Sequence, residues 1–333
     1  MKRYIYSLIA IMVVFSACKK DAINKSTNNG KQTPVTFDVG FAQSVGSFNG
    51  AHNLAKFTGH ALATDSTLKA DASVLYVTVY QSDGSNLIQT KQLSTDTAFG
   101  HVKFNLPAGT YTVAFAAGQA NLFVSADPLS SAYALYSAPV SGGGFNNSWQ
   151  STFYQKINIT VGSTGIVQSV SLNRIDSQII VDIEDAIPSN VKFIAFTAVG
   201  NSTYSPYPQF SIATGAPTAR SYDGLLLANS NIDTAVTPGT KNTRLYVTLL
   251  GSSSSYTVSI YAYDQLPLPN FNGQNFSGTQ IGFFTTSTVT VQPGHQTILS
   301  GKLFGGNGLT NTGGFQMTVD PTWDTTTTTI PFQ

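Results

Sequence analysis

The sequence predicts an all-β protein, and three observations carry that expectation. Apolar and polar residues alternate in short runs, strong helix formers are scarce, and turn residues separate the runs. Glu184 is the only glutamate in 333 residues and 10% of the chain is charged, while Ser, Thr, Gly, Asn, Tyr and Phe abound. That composition favours strands and turns over helices. Runs with one apolar face predict antiparallel sheets buried on one side and packed as sandwiches.

The N-terminus reads differently. Lys2 and Arg3 precede an apolar run from Ile5 to Phe15, and Phe15-Ser16-Ala17-Cys18 places small residues before a cysteine. Charge, apolar core and small-residue cleavage point together form a signal peptide over residues 1–17, too short for a comfortable membrane span. The segment resembles the lipobox of bacterial lipoproteins, although Phe15 stands where that family usually has Leu. The resemblance implies that Cys18 is the lipid attachment point, since acyl chains on its thiol and amine would hold a folded domain on a membrane. Cys18 is the only cysteine, which excludes a disulfide framework and a cysteine-based metal site. Residues 18–35 are polar and are expected to form a flexible tether. Its Cys-Lys-Lys-Asp start resembles surface-exported lipoproteins of the Bacteroidetes, which implies an outer-membrane lipoprotein exposed at the cell surface.

Beyond the tether, about 300 residues remain, enough for two domains by the usual size range. Alternation places strands at Leu75/Val77/Val79, Val102/Phe104/Leu106, Tyr111/Val113/Phe115 and Ile157/Ile159/Val161. The pattern returns at Ile179/Val181/Ile183, Leu245/Val247/Leu249, Tyr256/Val258/Ile260 and Phe315/Met317/Val319. Leu129, Tyr133 and Tyr136 fall near helical spacing, so a short helix is expected within Asp127–Tyr136. Asp83-Gly84 reads as a hairpin turn. The natural division lies near residue 172, giving an N-terminal sandwich over 36–172 and a C-terminal one over 173–333. Leu-Tyr-Val-Thr occurs at 75–78 and 245–248, and Tyr-Thr-Val at 111–113 and 256–258; two related sandwiches would account for both.

Net charge is +1 with no basic patch, which argues against nucleic acid as a partner. The four histidines, His52, His60, His101 and His295, show no metal-ligand spacing, and His101 and His295 read as turn residues beside glycines. No nucleophile elbow, zinc-protease helix motif or phosphate loop occurs. Asp182 and Glu184 alternate on one strand face, a spacing that could flank a glycosidic bond, but the solvated side of a strand explains them better. No catalytic residue, cofactor or metal is therefore expected.

Three segments in order resemble the fimbrillin superfamily of Bacteroidetes surface lipoproteins, which includes stalk, tip and Mfa2/FimB-like anchor subunits. They are Leu75–Tyr80 with Asp83-Gly84 and Asn105–Val113; Val170–Arg174 running into Ile179–Ile183, Ala186-Ile187-Pro188 and Val191; and Val291–Gly294 with Ile298-Leu299 and Gly301–Phe304. The resemblance implies two tandem transthyretin-like antiparallel β-sandwiches, no enzyme activity, and a structural, anchoring or accessory role in a fimbria-like adhesive assembly. It also implies association with other subunits by β-strand addition. The candidate exchange segment is Phe315, Met317, Val319 and Trp323, and its alternative role is to complete the second sandwich. No arginine lies between Arg3 and Arg174, so the arginine-directed trimming of stalk subunits has no site there, which fits an anchor better than a stalk. Four Asp-Ser/Thr stretches resemble Bacteroidetes O-glycosylation acceptors, with Ser66, Thr97, Thr234 and Thr325 as attachment points. The competing reading is a glycan-binding surface lipoprotein of a polysaccharide-uptake system, with Trp149, Tyr204, Tyr207 and Phe271 as stacking aromatics for surface glycans.

Overall fold

The computed structural model describes residues 31–41, 65–136, 149–200, 209–218, 226–229, 237–250, 255–266, 278–304 and 316–320. In the first half the chain forms β1 (Thr33–Phe41), helix α1 (Asp65–Asp71), β2 (Val74–Tyr80), β3 (Asn86–Leu93), β4 (His101–Leu106) and β5 (Gly109–Gly118). It continues through β6 (Leu122–Val124), β7 (Tyr133–Tyr136), β8 (Thr152–Val161) and β9 (Ile166–Arg174). Seven of these strands pair in the order β3-β2-β5-β8-β9-β1-β4. Between β8 and β9 only Phe153↔Arg174 and Tyr154↔Asn173 pair, so the sheet bends over at that corner and its two arms face each other. Val35, Phe37 and Phe41 of β1 meet Val77, Val113, Phe115 and Phe153 in one buried cluster. The rings of Phe37 and Phe115 cross edge-on at 5.1 Å. Each fully buried Phe of this kind stabilises the fold by roughly 1.5–3 kcal/mol.

The second half forms β10 (Asp176–Ile183), β11 (Phe193–Gly200), β12 (Gln209–Ser211), β13 (Ala216–Thr218), β14 (Leu226–Asn229) and β15 (Thr243–Leu250). Then follow β16 (Ser255–Tyr263), β17 (Gln280–Thr290), β18 (Gln296–Gly301) and β19 (Gln316–Asp320). Two four-stranded sheets result, β15-β10-β18-β19 and β14-β11-β16-β17. They enclose a second cluster that includes Ile179, Val181, Phe196, Val258 and Ile260.

The two halves share one topology. β1 sits between antiparallel β4 and parallel β9, and β10 sits between antiparallel β15 and parallel β18. β2 sits between β3 and β5 with β8 beyond, as β11 sits between β14 and β16 with β17 beyond. The fold is all-β, but each half contains one parallel pair, so the sheets are mixed rather than purely antiparallel. The cause is topological. β1 lies beside β9 and β10 beside β18, and the chain joins each such pair only after crossing through the opposite sheet. Tyr-Thr-Val recurs on β5 and β16, which occupy equivalent places, whereas Leu-Tyr-Val-Thr recurs on β2 and β15, which do not.

Several local expectations change. Thr33, Pro34 and Val35, expected at the end of the tether, belong instead to β1, because they pair with Leu106, Asn105 and Phe104 and Val35 is fully buried. No helix forms within Asp127–Tyr136: the amides of Ser131 and Ala132 donate to the Pro128 carbonyl to close a turn, and Tyr133–Tyr136 becomes β7. Helix formation occurs instead at α1, whose Leu68 is buried in the first core. The Asp83-Gly84 turn is present. Gly84 adopts φ 82°, a left-handed conformation that glycine accepts without strain, and Asp83 Oδ1 accepts the Ser85 N–H at 2.8 Å.

Strands β6 and β7 are inserted between β5 and β8, whereas β12 and β13 are inserted between β11 and β14. These two hairpins pair through β7 and β12 into a four-stranded sheet in the order β13-β12-β7-β6. The sheet lies over the outer face of β2 and β5, burying Tyr76, Tyr80, Ala114 and Ala116 together with Phe210 and Ile212. Every residue of β2 is consequently buried, although its alternation reads as one wet face.

Candidate strand-addition site

The halves differ at one edge. In the second, β18 pairs with β10 on one side and with β19 on the other, from Gln296↔Asp320 to Ser300↔Gln316. In the first, β9 pairs with β1 from Val35↔Ile166 to Phe41↔Leu172, and among the described residues no strand flanks its other side over that stretch. β9 therefore stands where β18 stands, without a counterpart of β19. Gln155 Nε2 donates to the Ser171 carbonyl at 3.4 Å, so the edge without a partner among the described residues runs from Ile166 to Val170. That length equals the five residues of β19.

The chemistry of this edge is permissive. Native edges are commonly guarded by charge, proline or a bulge. The other edges of the first half carry such guards, Lys91 on β3 and His101 and Lys103 on β4, with His101 Nδ1 2.6 Å from Asp38 Oδ1. Ile166 to Asn173 contains neither a charged residue nor a proline. Val167 projects outward with 77% of its surface exposed.

Both ends of β9 are fixed. At its start, Thr33 Oγ1 donates to the Gly162 carbonyl at 2.8 Å. A side chain at Gly165 would press within 3.3 Å of Pro34, so glycine lets that turn close on β1. At its end, the Arg174 guanidinium donates to Asp176 Oδ2 at 3.1 Å and to Ser151 Oγ at 3.2 Å while lying over the Phe153 ring at 4.7 Å. The Thr152 amide donates to Asp176 Oδ1 at 2.8 Å. Complete burial pushes the Asp176 carboxyl up to about 6, partly offset by the Arg174 charge and the Thr152 N–H. The Gly294 amide donates to the Asp176 carbonyl, so this knot ties β9 to the second half.

Of the candidate exchange residues, Met317 and Val319 lie on β19 opposite Leu299 and Thr297; Phe315 and Trp323 lie outside the described residues. Met317 and Val319 thus belong to a strand already paired with β18. Thr97 is exposed in the turn before β4, where Asp96 Oδ2 accepts the Leu93 N–H. Ser66 falls in α1, while Cys18, Thr234 and Thr325 lie outside the described residues. Trp149 is buried at 4% exposure against Tyr136 and presents no stacking face; Tyr204, Tyr207 and Phe271 lie outside. Asp182 pairs with Arg244 at 3.0 Å, and Asp185 accepts the amides of Leu303 and Phe304. His101 and His295 sit at the strand starts beside Gly100 and Gly294; His101 pairs with Asp38, while His295 Nδ1 lies 2.7 Å from the Pro293 carbonyl. Among the described residues, no group of three His, Cys, Asp or Glu side chains could hold a metal, and no helix is long and apolar enough to cross a membrane. The open β9 edge and the bridging sheet had no single-residue signal, because both depend on which strands become neighbours.

No family model and no curated protein matches the sequence. Among solved structures, the chain is similar to a candidate adhesin from Bacteroides ovatus, with a TM-score of 0.51 and 11% identity over 86% of this chain and 92% of that one. It is similar to a candidate polysaccharide-binding protein from Bacteroides thetaiotaomicron, with a TM-score of 0.51 and 10% identity over 86% and 95% of the respective chains. The fimbrial anchor protein Mfa2 from Porphyromonas gingivalis gives a TM-score of 0.49 and 12% identity over 86% and 97%. At these identities the likeness concerns the fold alone: the chain shares its all-β architecture with the candidate adhesin and the candidate polysaccharide-binding protein.

Proposed function

We propose that the protein is a non-catalytic subunit of a fimbria-like adhesive assembly, held to the outer membrane through lipid on Cys18 and joined to a neighbouring subunit by strand addition. The observation that carries the reading is the open edge of β9, where the equivalent edge of β18 holds β19. An added strand would satisfy the unpaired backbone groups of Ile166–Val170 and cover Val167, the physical basis of β-augmentation. The chain acts as acceptor at this edge, because donating its own β19 would uncover β18. An acceptor tethered by its N-terminus suits an anchoring or accessory position. The division into an N-terminal sandwich to residue 172 and a C-terminal one from 173 belongs to the same reading, as do the signal peptide, the tether from Cys18 and O-glycosylation at Thr97.

The test compares protein lacking residues 1–18 with a form in which Val167 and Ser169 are both replaced by Lys, each mixed with its co-purified subunits and run as SDS-resistant oligomers. Higher-order bands are expected for the parent and not for the lysine form; their persistence after removal of residues 315–333, and their reduction when that removal is combined with the lysine replacements, identify β9 as an acceptor edge. Equal oligomers from the parent and lysine forms would remove β9 as the joint. In cells, Cys18→Ser is expected to release the protein from membranes; full retention would end the lipid-anchor reading.

A further inference from the structure

The bridging sheet has a second face, directed away from β2 and β5. Leu122, Val124, Ala134 and Phe210 point inward and are buried, so alternation turns Phe123, Tyr133, Leu135 and Gln209 outward. Phe123 keeps 44% of its surface exposed, and Tyr133, Leu135 and Gln209 are half-buried. The rings of Phe123 and Tyr133 stand 6.2 Å apart and tilted by 51°, forming an open V rather than a closed stack. Cross-strand register sets Phe123 opposite Leu135, Leu135 opposite Gln209, and Gln209 opposite Thr218. At the spacing between neighbouring strands this row is about 14 Å long. One end is aromatic, the other offers an amide and a hydroxyl, and none of the four strands contains a charged residue.

We infer that this face binds a neutral, extended glycan. The apolar face of a sugar ring packs on Phe123 and Tyr133, and hydroxyls of the next sugars exchange hydrogen bonds with Gln209 and Thr218. None of the four strands supplies a cation to pair with an acidic chain, so the row suits a neutral one better. The site is new relative to the aromatics that the sequence singles out, and it goes beyond strand addition, since it occupies the bridging sheet and not the β9 edge. Tyr133 and Leu135 come from the first half and Gln209 and Thr218 from the second, so the row exists only while the two hairpins remain paired.

The test is calorimetric titration of the full chain in detergent with cellohexaose, mannohexaose and xylohexaose, and with hexagalacturonate as the acidic control. At least one neutral hexasaccharide is expected to bind, and Phe123→Ala to weaken it by about tenfold. Phe123→Trp, which keeps a stacking face, is expected to retain binding, and Gln209→Ala to lose several-fold, with unfolding temperatures unchanged throughout. The Val167→Lys form should bind as the parent does, which separates this site from the assembly edge. Absence of binding to all three neutral sugars, binding of hexagalacturonate alone, or unchanged affinity in Phe123→Ala would overturn the proposal. So would self-association lost in Phe123→Ala without sugar binding, which would assign the face to a second copy of the chain.

Discussion

The two halves place their strands in the same order and direction, yet one ends in a covered edge and the other in an open one. β18 gains β19, while β9, in the same position beside a parallel partner, gains none among the described residues. A difference confined to one strand place, on a shared scaffold, separates what the topology requires from what it leaves available. A covered edge adds stability to its own sandwich, and an open, uncharged edge keeps backbone groups ready for another chain. The halves also differ in where each inserts a hairpin, and those hairpins pair with each other through β7 and β12.

The largest expected effect is at the fastening. Arg174→Met leaves the Asp176 carboxylate buried without its partner and is expected to cost about 3–5 kcal/mol in denaturant unfolding. A loss confined to a few tenths would mean that the knot does not bind the halves. Next is removal of residues 305–333, which makes the second half resemble the first. Loss of the five β18–β19 pairs is expected to cost about 1–5 kcal/mol at 0.2–1 kcal/mol per pair and to create a second acceptor edge. No new association through β18 would weaken the equivalence of the two edges.

A smaller, pH-dependent effect comes from Asp176. Its folded carboxyl titrates near 6 because of burial, above its unfolded value. The stabilising contribution is therefore complete below the unfolded value and is lost as pH rises through about 6. Against Asp176→Asn as reference, the parent is expected to gain stability as pH falls from 7 towards 4; an equal pH response in both would remove Asp176 as the cause. The smallest effect on stability is at the open edge. Val167→Lys with Ser169→Lys is expected to change unfolding by no more than about 0.5 kcal/mol while abolishing strand addition, and a large destabilisation would show that β9 is already covered.

Much of the fold was legible because the inward alternation of Tyr111, Val113 and Phe115, or of Ile179, Val181 and Ile183, is local. The alternation of Val35, Phe37, Val39 and Phe41 was equally present, but the polar segment before it drew Thr33–Val35 into the tether. Tyr133 and Tyr136 misled because two aromatics three apart fit a helix or a strand, and the decision fell to pairing with β6 and β12. Tyr76 and Tyr80 looked like a wet face, since nothing local reveals a covering sheet contributed partly by residues more than a hundred positions away. The candidate site is legible only in composition: the absence of charge from Ile166 to Asn173 is visible, while the lack of a flanking strand among the described residues is a property of topology.

Amide hydrogen exchange tests the open edge most directly. In the isolated protein, the outward amides within Ile166–Val170 should exchange much faster than those of Gln296–Ser300 on β18, and should become protected when a partner subunit joins. Matching protection of the two strands in the isolated protein, or no change on assembly, would contradict the assignment of β9 as the acceptor.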